Sequence, residues 1–284
     1  MAATTCKVYD MTGNKIGIIN GGKHVKLRTD GKPKKTHPNT KKGRTTWVDP
    51  IRDKEDIKNI LEYLQSKIDN ENRIDYKKAW ARNKLYFNLV VFTGLRVSDV
   101  IGARKDTKFK NKDENGNVYY SYPQWTGLKW QDIYCKDGKT FRKEIAIKEL
   151  KRGYMRKTPI TETMQRYFSD YVEKYNPDTT EDNYIFVNRQ KERLSYKSID
   201  TFIKEATAAC GIDGNFSTHS LRKTFIYQLY MSLVSKIGEE MALGKTMIIT
   251  GHRNVSDLLR YLGLNKNNIG DVMDGFEDWM SDVF

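Results

Sequence analysis

The sequence predicts a mainly α-helical protein that carries a small antiparallel β-sheet or hairpin. Two observations lead there. Apolar residues recur at helical spacing in stretches on both sides of the chain's middle, and three strand-like segments, Trp130–Tyr134, Lys143–Lys148 and Tyr154–Ile160, cluster in one region between them. A third bounds the size, since 284 residues suit one large domain or two modest ones.

Charge narrows the partners. There are 50 basic and 36 acidic side chains, a net charge of +14, which favours a polyanion: nucleic acid or an anionic membrane surface. No apolar run is long enough to span a bilayer and no signal-peptide core opens the chain, so insertion into a membrane is not expected. Cys6, Cys135 and Cys210 are far apart and odd in number, which argues against a disulfide framework and for a reducing, cytosolic compartment. No Cys/His cluster has ligand spacing, so no structural zinc is expected.

Residues 1–50 stand apart as a basic N-terminal extension, with 11 basic against 3 acidic residues and turn signals around a strand at Lys15–Ile19. After Asp30 there is almost nothing to bury. Lys32, Lys34, Lys35, Lys41, Lys42 and Arg44 read as an arm for phosphate or minor-groove contact; the alternative is a solvated tail.

Residues 51–284 form the second unit. Asp53 caps a helix built on Ile57, Ile60, Leu61, Leu64 and Ile68, and a second helix from about Tyr76 to Phe92 ends almost wholly apolar. Thr93-Gly94-Leu95-Arg96-Val97-Ser98-Asp99 follows, with a glycine for a sharp turn and Ser98 or Asp99 near a helix start. Arg96 lies between two apolar stretches, where an unpaired guanidinium is costly. It must meet an anion, either a ligand or Asp99 in a structural pair. A hydrophilic insert, about 105–127, contains an Asn115-Gly116 step that predicts a hairpin tip.

The second and third strands flank the basic turn Glu149-Leu150-Lys151-Arg152-Gly153, beside Lys148. An amphipathic helix follows at Glu162–Tyr175, then a short apolar strand at Tyr184–Val187, then a helix from the Ser195 cap to Cys210, ended by Gly211. His219 and Arg222, three apart, share a helix face. Another helix, about Glu239–Thr250, ends at Gly251-His252, and Tyr261 lies on a short helix begun by Ser256 or Asp257. The segment at about 269–284 places Ile269, Val272, Met273, Phe276, Trp279, Met280 and Val283 on one face, with five acidic residues and no basic one elsewhere in it. Such a helix needs a groove, on its own domain or on a neighbouring protomer.

Taken in order, Thr-Gly-Leu-Arg-x-Ser-Asp at 93–99, His-x-x-Arg at 219–222, Gly-His at 251–252 and Tyr261 nine residues later resemble the signature of the tyrosine recombinases, the phage-integrase family. The resemblance implies the catalytic-domain fold of that family over residues 51–284 and assigns Arg96, Lys151, His219, Arg222, His252 and Tyr261 as catalytic. Lys151 enters by its place eight residues before Pro159, with Lys148 as the fallback, and Lys148 and Arg152 join the DNA contacts. No pair of carboxylates is expected beside this set, and cations, imidazoles and a phenol suit phosphoryl transfer without a metal or other cofactor.

The function implied is site-specific recombination through a 3′-phosphotyrosyl intermediate, in integration or excision of a mobile element or phage. The partners implied are double-stranded DNA and further copies of the chain, dimer to tetramer, in the cytoplasm of a bacterial or phage-infected cell. Two alternatives remain. One is a type IB topoisomerase or telomere resolvase with the same chemistry; the other is a non-catalytic DNA-binding protein of the same fold.

Overall fold

The computed structural model describes residues 8–9, 15–19, 23–26, 47–103, 109–121, 127–151, 153–180 and 182–262. The chain divides into two compact units, residues 1–47 and 48–284. In the first, β1 (Val8–Tyr9), β2 (Lys15–Ile19) and β3 (Lys23–Lys26) form an antiparallel sheet in that order, with Ile16 opposite Lys26 and Ile18 opposite His24. The basic arm residues Lys32, Lys34, Lys35, Lys41, Lys42 and Arg44 lie outside the described residues, as does the segment at about 269–284 where a helix is expected.

The second unit is mostly helical. Helix α1 (Lys54–Asn70) starts where the Asp53 carboxylate accepts the Glu55 amide at 2.9 Å and buries Ile60, Leu64 and Ile68. Helix α2 (Ile74–Thr93) is the central element, packed against α1 and, further along the chain, against α4 (Glu162–Tyr175) and α6 (Thr218–Ile237). On α2, Tyr86 is fully buried and meets the Phe186 and Phe202 rings edge-on at 5.5 and 6.0 Å. Helix α5 (Tyr196–Ala209) is capped by Ser195, whose hydroxyl accepts the Ser198 amide, and packs on α1 and α6.

Helix α6 spans two cores. Leu221, near its start, belongs to the large core of α1, α2, α4 and α5; Ile226 and Tyr230 belong to a smaller one shared with α7 (Glu239–Thr250) and α8 (Val255–Leu262). The segment before α1 straps α6 in place: the Ile51 amide donates to the Thr224 hydroxyl at 2.8 Å, and the Lys223 ammonium and Gln228 amide donate to the Val48 and Arg52 carbonyls.

Two antiparallel hairpins complete the unit. β4 (Phe109–Lys112) and β5 (Val118–Ser121) meet at a turn where Asp113 accepts the Asn115 and Asn117 amides and Gly116 takes φ +82°. β6 (Glu144–Lys148) and β7 (Met155–Pro159) pair from Glu144 opposite Pro159 to Lys148 opposite Met155. The strand expected at Trp130–Tyr134 is instead a 3₁₀ turn, Trp130–Asp132. The Asp132 carboxylate accepts the Lys129 amide at 2.8 Å, and that local bond wins over extension. Tyr184–Val187 also forms no strand; isolated bridges at its two ends, to Lys129 and Arg193, hold it.

Candidate active site

The site is built around the turn between α2 and the five-residue α3 (Val97–Ile101). Gly94 closes α2 in the left-handed conformation, φ +60°, with its amide on the Val90 carbonyl. This turns the Thr93 and Gly94 carbonyls out of the helix, and two arginines from later in the chain take them. Arg222, 2 % exposed, donates Nη1 to the Gly94 carbonyl and Nη2 to the Thr250 carbonyl. Arg156, on β7, donates Nη2 to the Thr93 carbonyl at 2.5 Å and Nη1 to the Gly94 carbonyl at 3.4 Å.

Arg96 sits at the N-cap of α3, and its Nη1 lies 2.6 Å from Glu149 Oε1 and 3.9 Å from Asp99 Oδ2. Burial, then the charges of Arg96 and Arg156, lower the Arg222 guanidinium to about 10, against the favourable influence of the Tyr261 phenol and Glu149. Two buried cations and a half-buried third thus repel one another across a shared turn, a place prepared for negative charge.

Two carboxylates stand among them, against the expectation of none. Glu149, 5 % exposed, sits between Arg96 and Arg156, the latter at 3.6 Å. Burial raises its carboxyl, but the close ion pair with Arg96, with the charges of Arg222 and Arg156, outweighs this and leaves it below its ordinary value. Asp99 is raised, chiefly by burial. Its carboxylate does not cap α3; it accepts the Leu150 amide at 3.0 Å. Arg96 therefore meets its closest anion in Glu149 rather than Asp99.

Helix α6 begins at Ser217, whose hydroxyl accepts the His219 amide, so His219 and Arg222 fall on its first turns. Burial lowers the His219 imidazole below 6.5, helped by the charges of Arg222, Lys151, Arg96 and Lys223. His219 is thus a neutral base near neutral pH. At the end of α7 the Thr250 hydroxyl donates to the Thr246 carbonyl at 2.6 Å and lies 2.6 Å from His252 Nδ1. A carbonyl only accepts, so the single hydroxyl proton goes to Thr246, and Nδ1 of His252 carries the proton shared with Thr250. The Tyr261 ring lies 4.8 Å from the His252 ring, tilted by 56°, with the Lys223 ammonium 6.0 Å from its centre.

The structure thus gathers Arg96, His219, Arg222, His252 and Tyr261 from four separate boxes. Lys151 is exposed on the β6–β7 turn, near enough for its charge to lower His219. Lys148 is exposed as the last residue of β6, and Arg152 lies outside the described residues. Sequence reasoning missed Glu149, Arg156 and Thr250. Period-two alternation was the available signal for the first: Ile145, Ile147 and Glu149 share a face, with Ile145 in the core and Ile147 packed against it.

The profile of the phage integrase family matches residues 124–268. Among proteins of similar sequence, the probable integrase/recombinase YoeC of Bacillus subtilis is 26% identical over 222 residues, 78% of this chain and 92% of that protein. The tyrosine recombinase XerH of Campylobacter jejuni is 24% identical over 198 residues, 69% of this chain but only 45% of XerH. Among solved structures, XerA recombinase superposes with a TM-score of 0.50 at 17% identity, over 82% of this chain and 66% of that one, which speaks for the fold. With the profile covering half of its length and both relatives agreeing, this chain belongs to the phage integrase family.

Proposed function

We propose that this chain is a site-specific DNA recombinase that cuts and rejoins DNA through a 3′-phosphotyrosyl intermediate. One observation carries the reading: the buried guanidiniums of Arg96 and Arg222 meet at the Gly94 turn, with the His252–Tyr261 pair beside them. The two arginines take the non-bridging oxygens of a DNA phosphodiester, whose charge grows in the transition state. The Tyr261 oxygen attacks phosphorus, and its proton passes to His219. The bond from phosphorus to the 5′-oxygen breaks, and Lys151 protonates that oxygen. His252, in its imidazolium form with Nδ1 on Thr250, donates a further hydrogen bond from its second ring nitrogen. The tyrosyl ester keeps the energy of the broken bond, so a 5′-hydroxyl from a second duplex reverses the step without a cofactor.

The net charge of +14 and the basic segment at 32–44 suit a protein that wraps duplex DNA. The amphipathic 269–284 segment suits a protomer that docks on the next, in a dimer or tetramer on DNA. We place the activity in the cytoplasm, in integration or excision of a mobile element. Among the described residues no helix is long and apolar enough to cross a membrane.

The test is covalent capture. A randomised duplex pool, nicked so that the cleaved 5′-end diffuses away, is incubated with the full chain in the presence of chelator. A covalent adduct formed by the native chain and lost in Tyr261→Phe supports the reading, and equal yields from both overturn it. Captured duplexes then separate strand exchange between two molecules from relaxation of one supercoiled circle, which would favour a topoisomerase.

A further inference from the structure

We infer that Glu149 is a positioning residue of strand cleavage: its carboxylate, held between the Arg96 and Arg156 guanidiniums, fixes the turn that presents Lys151 to the departing 5′-oxygen. The inference rests on the recombinase reading above. Glu149 continues the buried face of β6 past Ile145 and Ile147, where an unpaired carboxylate would be expensive. Its partners are two of the three arginines of the site, at 2.6 and 3.6 Å.

The next residue reinforces the anchor with opposite polarity. The Leu150 amide donates to Asp99 at 3.0 Å, so residues 149 and 150 are both pinned to the segment that carries Arg96. The loop closes on itself, with the Glu149 amide on the Tyr154 carbonyl at 2.9 Å and the Gly153 amide on the Glu149 carbonyl at 2.7 Å. At its far end, Arg253 donates to the Tyr154 hydroxyl at 2.5 Å and lies over that ring at 5.4 Å. Lys151 therefore stands on a short exposed loop tied on one side to Arg96 and on the other to the residue after His252. A lysine with four rotatable bonds delivers a proton efficiently only if its backbone is held, and Glu149 is the charged contact that holds it. Charge is required as well as shape, because without it the guanidiniums of Arg96 and Arg156 face one another uncompensated.

The experiment uses the full chain and one duplex captured from the randomised pool, made in two forms. One has the ordinary bridging 5′-oxygen at the cleaved phosphate; the other has sulfur there. A thiolate leaves without a proton, so the sulfur duplex does not need Lys151. Lys151→Ala, the reference, is expected to be slower by about a hundredfold on oxygen and restored on sulfur. Glu149→Gln is expected to be slower by about tenfold or more on oxygen and within about threefold of the native chain on sulfur. The double variant should be no slower than Lys151→Ala alone.

Equal losses on both duplexes would assign Glu149 to Arg96 or to the fold and overturn the inference. So would unchanged or faster oxygen cleavage, which would make Glu149 a competitor of the phosphate, and so would independent, multiplying losses in the double variant. A native chain that captures no duplex from the pool removes the recombinase reading itself.

Discussion

The Gly94 carbonyl accepts a hydrogen bond from the Arg222 guanidinium, across 128 residues of chain. The same glycine faces the Phe225 ring so closely that an added Cβ would lie 2.2 Å from Cδ1. Phe225 follows Arg222 by three positions on α6, so one helical turn places both the cation and the ring that seats it against the end of α2. Gly94→Ala combines a clash with a left-handed φ that alanine disfavours. The expected loss is about 3 kcal/mol of stability together with most of the cleavage rate. Chemical denaturation and covalent capture measure the two, and a stable, active Gly94→Ala chain would show that the turn is not the seat of Arg222.

Arg156 offers a different test, because its two carbonyl bonds require a fork. Lysine keeps the charge beside Glu149 but cannot reach the Thr93 and Gly94 carbonyls in parallel. Arg156→Lys is expected to cost about 2 kcal/mol in thermal unfolding. A melting temperature equal to that of the native chain would reduce Arg156 to a spectator.

Why these residues escaped a reading of the sequence is physical. Helices announce themselves through periodicity and caps, as with Asp53 before α1, Ser195 before α5 and Gly251 after α7. The boxes carrying Arg96, His219, Arg222, His252 and Tyr261 are compact in sequence, and each is placed by one local turn or helix end. Glu149 and Arg156 instead act through pairings with residues far away in the chain, and a buried Glu–Arg contact leaves no local pattern beyond alternation on a strand. The strand expected at Trp130 failed for a related reason: apolar and β-branched composition signalled extension, while the Asp132 carboxylate folded the backbone onto the Lys129 amide. In the arginine-to-histidine interval the helix expected at about Glu239–Thr250 is α7, and the structure adds its junction with α6 at Gly238, φ +77°.

Thr250 sets the tautomer of His252. The Thr250 hydroxyl at Nδ1 fixes the ring's orientation beside the Tyr261 ring, 4.8 Å away, where it faces the proposed phosphate site. Thr250→Val removes the partner and frees the ring, with an expected loss of about tenfold in cleavage for one hydrogen bond of about 1.4 kcal/mol. Thr250→Ser keeps the hydroxyl and should retain near-native rates. Equal rates in the valine and serine variants would break the link between Thr250 and His252.

His219 makes the pH dependence specific. Burial, then the charges of Arg222, Lys151, Arg96 and Lys223, lower its imidazole below the ordinary 6.5, so the neutral form persists further into acid. A base works only when neutral. Cleavage at limiting DNA should therefore hold as pH falls through 6.5 and drop only at the lowered value. The stability linkage has the same direction. Below pH 6.5 the unfolded chain binds the proton before the folded one does, so this residue's contribution is present above 6.5 and is lost as pH falls through the folded value. Lys151→Ala removes one of the lowering charges and should move the acid limb upward, read on the sulfur duplex, where the missing proton donor does not mask it. His219→Gln should abolish the limb. A native limb at or above 6.5, or one that survives in His219→Gln, would place the base elsewhere.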